Sequence, residues 1–333
     1  VLPGRALENV PAGMSENVTM RCEFGHGDLE AGFAKADKIV ERSFKTAATH
    51  QGYIEPQACL ASLGNDGRGE VWCCTQGQYM VRANCAAVLG VEESQLRITA
   101  SEIGGGFGGK TSTFIEPVAL ALSRKSGRPV KIVMSRTEVL RATGPTISTS
   151  MDIKIGMTKE GRITAARGEL RYSGGAYPNE TVDMGAQAAF AAYDLEAVQT
   201  VGWNAMTNRP MEIPYRAPGA PTSIYAVESV VDELCQELDL DPLDVRLMNA
   251  ARKGTVSSYG PTFQEIGLVA TLEAAKAHPH YSAPLGPNQG RGLSCGFWFN
   301  FGGNTCVSLN INDDGTVGVV EGNPDIGGSR ASI

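Results

Sequence analysis

The sequence predicts an α+β fold in which mixed sheets carry packed helices. Two turn signals, Asn65-Asp66-Gly67 and Lys159-Glu160-Gly161, each join a pair of strand-like runs and predict hairpins. Helical apolar spacing recurs between the strand-like runs, for example over 112–125 and 222–238. Glycine accounts for 40 of the 333 residues, well above the usual ~7%, so long loops are expected between the elements.

The elements are expected in the following order. Residues 1–20 are irregular, and residues 28–44 pass from a short helix into a strand. The other predicted strands are 57–63, 69–75, 95–101, 130–134, 147–156, 162–173, 196–203 and three between 291 and 321, with turns at 300–303 and 313–315. The other predicted helices are 77–89, 112–125, 181–192, 222–238 and one opened by Asp241-Pro242 that ends near 251.

Composition excludes several classes of partner. A net charge of −7 without a block of lysine and arginine argues against nucleic acid and against anionic membranes. No apolar run approaches the ~20 residues of a membrane span. The eight cysteines include no Cys-x-x-Cys pair, so we expect buried free thiols, a cytoplasmic protein and no iron–sulfur cluster in this chain.

The segment Gly104-Gly105-Gly106-Phe107-Gly108-Gly109-Lys110, named here the glycine loop, lies between a predicted strand and a predicted helix. Such glycine density lets backbone N–H groups turn inward around a bound anion. With Thr111 the loop also satisfies the P-loop pattern for nucleotide phosphates. Against that, the next buried run, 130–134, is followed by Ser135-Arg136 and offers no acidic partner for magnesium. A P-loop nucleotide-binding protein therefore remains the alternative hypothesis.

The glycine loop also resembles the signature loop of the molybdenum hydroxylases. These are the molybdopterin-binding large subunits of xanthine dehydrogenase, aldehyde oxidase and aerobic carbon monoxide dehydrogenase type. Five further segments resemble the family in the same order: 50–56, 75–78, 214–221 (the arginine loop), 226–246 and 325–328. The resemblance covers nearly the whole chain, and so many ordered motifs make it specific. Within 50–56, His50 and Glu55 are interpreted as structural residues at the start of a strand.

The resemblance implies a molybdopterin-binding domain of molybdenum hydroxylase type, truncated at both ends. Residues 1–20 are then a remnant of a preceding domain or a linker. Residues 21–288 form the first molybdopterin-binding domain, and residues 289–333 are the incomplete start of the second. The chain is therefore expected to be a fragment of a longer subunit.

The implied cofactor is molybdenum–molybdopterin, for which a cytosine dinucleotide form is one option. The pterin dithiolene holds the molybdenum, so no protein side chain is a direct metal ligand. Two-iron two-sulfur clusters and FAD are implied on an iron–sulfur subunit and a FAD subunit, in a dimer of heterotrimers. The implied substrate is a small molecule that is hydroxylated with oxygen from water.

The resemblance assigns two groups of site residues near the molybdenum. Gln76 donates from its side-chain amide to an oxo ligand of the metal. Gly106, Phe107 and Gly108 bind the cofactor, with backbone N–H groups near Phe107 and Gly108 pointing at the metal ligands and the Phe107 ring beside the substrate channel. Arg216 places its fork of donors next to the same ligands.

A second loop is implied at the pterin itself. Gly327 and Gly328 let the backbone approach the pterin or its phosphate, although the glutamine usual in the middle of that loop is missing here. No catalytic residue is implied within the chain, because the glutamate base of the family lies beyond the position that corresponds to Ile333. The 333 residues alone are therefore predicted to be inactive. A catalytically inactive cofactor scaffold is the remaining alternative.

Departures from the family pattern limit the substrate. Purine-oxidising members have a carboxylate where this chain has Thr111, an arginine near the position of Met184, and an aromatic residue at the position of Pro218. The carbon monoxide enzymes have a copper-binding cysteine where this chain has Ala217 and Pro218. Xanthine and carbon monoxide are therefore disfavoured, and an aldehyde or an aromatic N-heterocycle remains.

Overall fold

A computed structural model describes residues 17–299 and 306–327 of the protein. The strands are β1 Val18–His26, β2 Lys38–Thr46, β3 Ala58–Leu63, β4 Gly69–Cys73, β5 Leu96–Ala100, β6 Val130–Val133, β7 Thr149–Met157, β8 Ile163–Gly175, β9 Val198–Met206, β10 Val307–Ile311 and β11 Val317–Glu321. The helices are α1 Leu29–Ala34, α2 Gln78–Leu89, α3 Glu116–Ser126, α4 Arg136–Ala142, α5 Thr181–Ala188, α6 Ala220–Glu237, α7 Pro242–Asn249, α8 Leu268–Ala277 and α9 Pro279–Ser282.

The described residues fall into two compact units, and the first contains residues 17–48 with Ile147–Glu212 and Ala217–Phe299. Its sheet has the order β1-β9-β8-β7-β2, in which only the β8–β9 pair is parallel. Helices α5 and α6 pack against this sheet and bury a large apolar core. Arg246 on α7 is fully buried and pairs with Glu228 and Asp232 on α6, which joins the two helices.

The second unit contains Thr49–Thr146, Ile213–Arg216 and the described residues after Phe299. Its sheet has the order β5-β4-β3-β6, with β4 and β5 parallel and the other pairs antiparallel. Helices α2 and α3 cover one face of this sheet around a second apolar core. Strands β10 and β11 form a separate antiparallel hairpin. Both site-bearing loops named above contribute residues to this unit.

The α+β class with mixed sheets is confirmed, and so are both hairpins. The Asn65-Asp66-Gly67 turn joins β3 to β4, and the turn at Gly161 joins β7 to β8. The eight cysteines are free thiols, seven of them buried, while Cys306 is exposed contrary to expectation. Burial raises the pKa of the Cys85 thiol to about 12, which keeps it protonated and unreactive. No helix in the two described ranges is both long and apolar enough to cross a membrane.

Several boundaries differ from expectation. Strand β1 starts at Val18, inside the segment predicted to be irregular, because it pairs with β9, which is far away in sequence. Helix α3 starts at Glu116 rather than 112, because tight turns continue the glycine loop through residues 109–114. No strand forms over 291–299, where the Cys295 N–H donates to Glu228 (2.7 Å) instead of to a neighbouring strand. The predictions for residues 1–16, the turn at 300–303 and Gly328 lie outside the described residues.

Candidate functional site

Gln76 lies where β4 ends and α2 is about to begin, alongside the end of the glycine loop. Its backbone N–H donates to the Lys110 carbonyl oxygen (2.9 Å). Its side-chain Oε1 accepts from the N–H groups of Gly108 (2.9 Å) and Lys110 (3.2 Å). Because two donors fix the oxygen end of the amide, Nε2 must face the other way. Nε2 makes no hydrogen bond within the part of the chain that the structure describes.

The glycine loop is shaped to receive that amide. A Cβ built on Gly106 would collide with Gln76 Oε1. Phe107 has φ 53°, Gly108 has φ 97°, and the Phe107 side chain is 44% exposed. Non-glycine residues rarely adopt a positive φ, so the loop holds Phe107 in an uncommon conformation. The two consecutive residues with positive φ, Phe107 and Gly108, turn the loop tightly around the Gln76 carbonyl.

The backbone donors of the loop are divided between two uses. The Gly108 N–H donates to Gln76, so it is not left for a ligand as the sequence had suggested. Among the described residues, no acceptor takes the N–H groups of Gly106 and Phe107. These two amides remain as backbone donors of the loop.

The start of the arginine loop lies against the glycine loop. The Arg216 N–H donates to the Phe107 carbonyl oxygen (2.9 Å), and a Cβ built on Gly108 would lie 2.6 Å from the Pro214 oxygen. The Arg216 side chain is exposed and forms no ion pair with any described residue. The backbone that is held at Phe107 therefore carries a charged fork of donors that no described residue neutralises.

The segment after β11 approaches the start of the glycine loop. The Ile103 N–H donates to the Asp325 carbonyl oxygen (2.9 Å), and Gln78 Nε2 donates to the Gly322 oxygen. Gly327 has φ 87°, and a Cβ built there would meet no atom within 4 Å. Gly327 therefore needs glycine for its backbone conformation rather than for close packing. Its predicted partner in the second loop is not among the described residues.

Lys110 is not available to a phosphate. Its side chain is 1% exposed and pairs with Glu55 Oε2 (2.5 Å), which also accepts from the Gly104 N–H (2.9 Å). The Lys110 ammonium lies 5.0 Å from the centre of the Tyr53 ring. A carboxylate of the chain itself thus takes the lysine and the loop amide that a P-loop would offer to phosphate. The structure argues against the P-loop hypothesis.

Glu55 and His50 are structural, but not at the start of a strand as predicted. The chain from residue 50 to 57 is irregular, and β3 begins only at Ala58. His50 Nε2 bonds the Thr143 hydroxyl (3.1 Å). The segment is instead shaped by its contacts with the glycine loop, which the sequence pattern alone does not encode.

The donor set suits a group that brings its own oxygen or phosphate acceptors. The site has three donor groups that no described residue accepts from: Gln76 Nε2, the Phe107 N–H and the Arg216 guanidinium. No cluster of three or more His, Cys, Asp or Glu side chains in the described ranges has metal-ligating geometry. These donors fit a cofactor that carries its own anionic oxygen acceptors.

The family model described as "Molybdopterin cofactor-binding domain" matches residues 11–250. The chain belongs to this family. It is a molybdopterin-binding chain of the molybdenum hydroxylase type, as its relatives also indicate. The sequence is 30% identical over 255 residues to the nicotinate dehydrogenase large molybdopterin subunit of Eubacterium barkeri, covering 75% of this chain and 60% of that protein.

Two further relatives show the same relation. The aldehyde oxidoreductase of Megalodesulfovibrio gigas is 29% identical over 257 residues, covering 76% of this chain and 28% of that protein. The solved structure of aldehyde oxidoreductase from Desulfovibrio gigas has a TM-score of 0.81 at 25% identity, covering 93% of this chain and 36% of that one. The molybdopterin-binding chain thus spans 60% or less of the length of these relatives.

Sequence reasoning missed two residues that shape the candidate site. Lys110 had been read only as a phosphate ligand, and Gln51 had been given no role of its own. Gln51 Nε2 donates to the Ile213 and Pro214 carbonyl oxygens, more than 160 residues away. Both lie within segments that resemble the family, and that position is the signal that could have identified them.

Proposed function

We propose that the protein is the molybdopterin-binding subunit of an oxidoreductase that hydroxylates an aldehyde or an aromatic N-heterocycle with oxygen derived from water. The observation that carries this proposal is the orientation of the Gln76 amide, with its oxygen held by the glycine loop and its Nε2 left as a donor. When bound, molybdenum–molybdopterin supplies the oxygen transfer and accepts two electrons. Every other role below belongs to residues of this chain.

Three residues would hold and orient the cofactor. Gln76 Nε2 would donate to an oxygen atom of the cofactor, and the Phe107 N–H would supply a second donor from the glycine loop. Arg216 offers a positive charge and a planar fork that matches an anionic acceptor. Preorganised donors of this kind stabilise negative charge without having to reorganise. Gly106 and Gly108 act indirectly, because they let the loop close around the Gln76 carbonyl.

The second loop would contribute to the pterin end. Gly327 lies in an open turn whose Asp325 is anchored to Ile103 beside the glycine loop. We propose that Gly327, together with Gly328, allows the backbone to approach the pterin or its phosphate. A molybdopterin with or without a cytosine dinucleotide tail is compatible with these residues.

The proposed substrate follows from the chain and from the names of its relatives. Thr111 donates its hydroxyl to the Gly108 oxygen (2.8 Å), so this position offers no charge to a purine. Met184, Ala217 and Pro218 likewise provide neither a charge nor a metal-binding thiol. Relatives named nicotinate dehydrogenase, nicotine 6-hydroxylase and aldehyde oxidoreductase support the classes of N-heterocycle and aldehyde. Other relatives are named xanthine dehydrogenase, so a purine is disfavoured by the residues of this chain alone.

The partners are also proposals. Two relatives are named as large subunits, which supports an assembly of several chains. We propose that electrons leave through 2Fe–2S clusters and FAD on partner subunits, in a dimer of heterotrimers in the cytoplasm. Residues 21–288 are proposed as the first molybdopterin-binding domain and 289–333 as the start of a second. No residue of this chain is assigned as the catalytic base, so the 333 residues alone are expected to be inactive.

The test is the molybdenum and pterin content of the full-length protein purified from its own source. One molybdenum and one pterin per chain are expected, with transfer of 18O from labelled water to an aldehyde or N-heterocycle. Cofactor without turnover on any substrate of either class would favour an inactive cofactor scaffold. A well-folded preparation that contains neither molybdenum nor pterin would overturn the proposal.

A further inference from the structure

Gln51 connects the two loops of the site. It lies in the irregular segment before β3, and only 5% of the residue is exposed. Its Nε2 donates to the carbonyl oxygens of Ile213 (3.4 Å) and Pro214 (3.3 Å), through which the chain enters the arginine loop. On its other side, a Cβ built on Gly109 would lie 3.0 Å from the Gln51 side-chain carbon Cδ. The amide of Gln51 therefore packs between the glycine loop and the entry to the arginine loop.

The same amide leaves its oxygen without a partner. Gln51 Oε1 is buried and accepts no hydrogen bond from any described residue. Its orientation is dictated by the two carbonyl oxygens, since only the NH2 end can face them. A buried acceptor without a partner costs free energy, and an apolar side chain of equal size would avoid that cost. Such a departure from optimal packing is typical of functional sites.

The hydrogen bonds from Gln51 lie close in sequence to the backbone contact of Arg216. Two residues beyond Pro214, the Arg216 N–H donates to the Phe107 carbonyl oxygen (2.9 Å). The Ile213 N–H is tied to the Pro145 oxygen (2.9 Å). Of the two residues between these anchors, Pro214 has no N–H, and its carbonyl oxygen accepts from Gln51, its one hydrogen bond with any described residue. Gln51 thus closes the gap between the two backbone anchors.

We propose that Gln51 is a positioning residue that holds the start of the arginine loop against the glycine loop and so fixes the place of Arg216. This inference rests on the proposed function, because Arg216 is a site residue only if the cofactor binds there. The effect on the backbone does not depend on the cofactor, and the two parts are therefore measured separately.

The first test compares Gln51→Met with Gln57→Met in the full-length protein. Gln57 is a matched control, since it is 2% exposed, belongs to the same unit and also has an unpartnered Oε1, but its Nε2 donates to the Tyr53 hydroxyl. Hydrogen exchange of the peptide covering 213–216 is expected to be about tenfold faster in Gln51→Met and unchanged in Gln57→Met. The melting temperature of Gln51→Met is expected to change little, because removing the unpartnered Oε1 offsets the loss of the two hydrogen bonds to the Ile213 and Pro214 oxygens.

The second test uses Gln51→Glu, which keeps the size of the side chain. When protonated, its carboxyl retains one donor for the two carbonyl oxygens; when ionised, it has none and repels them. Burial favours the protonated form. The exchange ratio of variant to wild type over 213–216 is therefore expected to be near one at low pH and to rise with pH. Gln57→Glu is expected to show no such pH dependence over 213–216.

The outcomes separate the two claims. Unchanged exchange over 213–216 in both Gln51 variants, or an equal increase in the Gln57 variants, overturns the positioning role. If Gln51→Met does not fold, the pH profile of Gln51→Glu decides alone. Under the proposed function, Gln51→Met also retains less molybdenum and pterin than Gln57→Met. Wild-type protein without molybdenum or pterin would refute the proposed function, while the exchange data would still decide the role of Gln51.

Discussion

Replacing Gln76 with glutamate tests the role of its outward NH2 group separately from that of its inward oxygen. In the variant, one carboxylate oxygen still accepts from the Gly108 and Lys110 N–H groups, as Oε1 does in the wild type. The other end changes from an NH2 donor to an oxygen acceptor with negative charge. The change therefore keeps the contact that shapes the glycine loop and removes the donor proposed to face the cofactor.

The magnitude follows from the hydrogen bonds involved. The two bonds to the loop persist, so the free energy of unfolding is expected to change by less than about 1 kcal/mol. The lost outward bond to a charged acceptor is worth about 1.5–3 kcal/mol, and each 1.4 kcal/mol corresponds to a factor of ten. Retention of the cofactor, or turnover, is therefore expected to fall about 10- to 100-fold. Repulsion between the new carboxylate and an anionic ligand adds to this loss.

The assay is molybdenum and pterin per chain in full-length protein, followed by turnover per bound molybdenum and by urea denaturation. Gln236→Glu is the control, because it introduces the same charge at an exposed position of α6 that has no assigned role in the site. If Gln76→Glu keeps wild-type molybdenum content and turnover, Nε2 does not contact the cofactor, and the orientation of the Gln76 amide no longer supports the proposed function.

Three further predictions concern the frame of the site. Burial raises the pKa of Glu212 from 4.5 to about 7. Between these two pH values the carboxyl ionises in the unfolded state but stays protonated in the folded state, so the free energy of unfolding falls as pH rises. Glu212→Gln should raise the free energy of unfolding at pH 8 by up to about 3 kcal/mol and not at pH 4; an equal change at both pH values in urea melts would contradict this. Arg246→Met leaves the buried Glu228 carboxylate without its cation and should lower the free energy of unfolding by about 3–5 kcal/mol. A loss below about 1 kcal/mol would show that the pair is not buried as described. Gly108→Ala should lower the melting temperature more than Gly254→Ala, since both have a positive φ but only the first meets a backbone oxygen at 2.6 Å; equal losses in calorimetry would count against that close approach.

Local signals were sufficient for most of the fold. The Asn65-Asp66-Gly67 turn fixed the β3–β4 hairpin because its geometry depends on a few adjacent residues. Asp241 was expected to open a helix, and its carboxylate accepts from the Leu243 N–H (2.8 Å) at the start of α7. Strand β1 was missed for the opposite reason, because its partner β9 is about 180 residues away and no local pattern identifies it.

The site shows the same division between local and distant information. Gln76, Phe107 and Arg216 could be named from motifs, since each stands in a short, recognisable segment. The hydrogen-bond partners of each group could not be predicted, because they include residues far apart in the sequence, such as Gly108 and Gln76. The Gly108 N–H was expected to serve a ligand, and in the structure it serves Gln76.

The hydrogen bond from the Gly108 N–H to Gln76 Oε1 explains why a glutamine is suited to position 76. A backbone N–H can only donate where the loop places it, whereas the Gln76 amide accepts from two N–H groups of the loop and presents an NH2 donor group on its other side. Leucine would leave both N–H groups buried without a partner, and glutamate would satisfy them but present an acceptor outward. Asparagine would carry the same groups on a side chain one methylene shorter. Glutamine therefore meets both requirements at once, the internal one of the glycine loop and the proposed external one of an anionic cofactor.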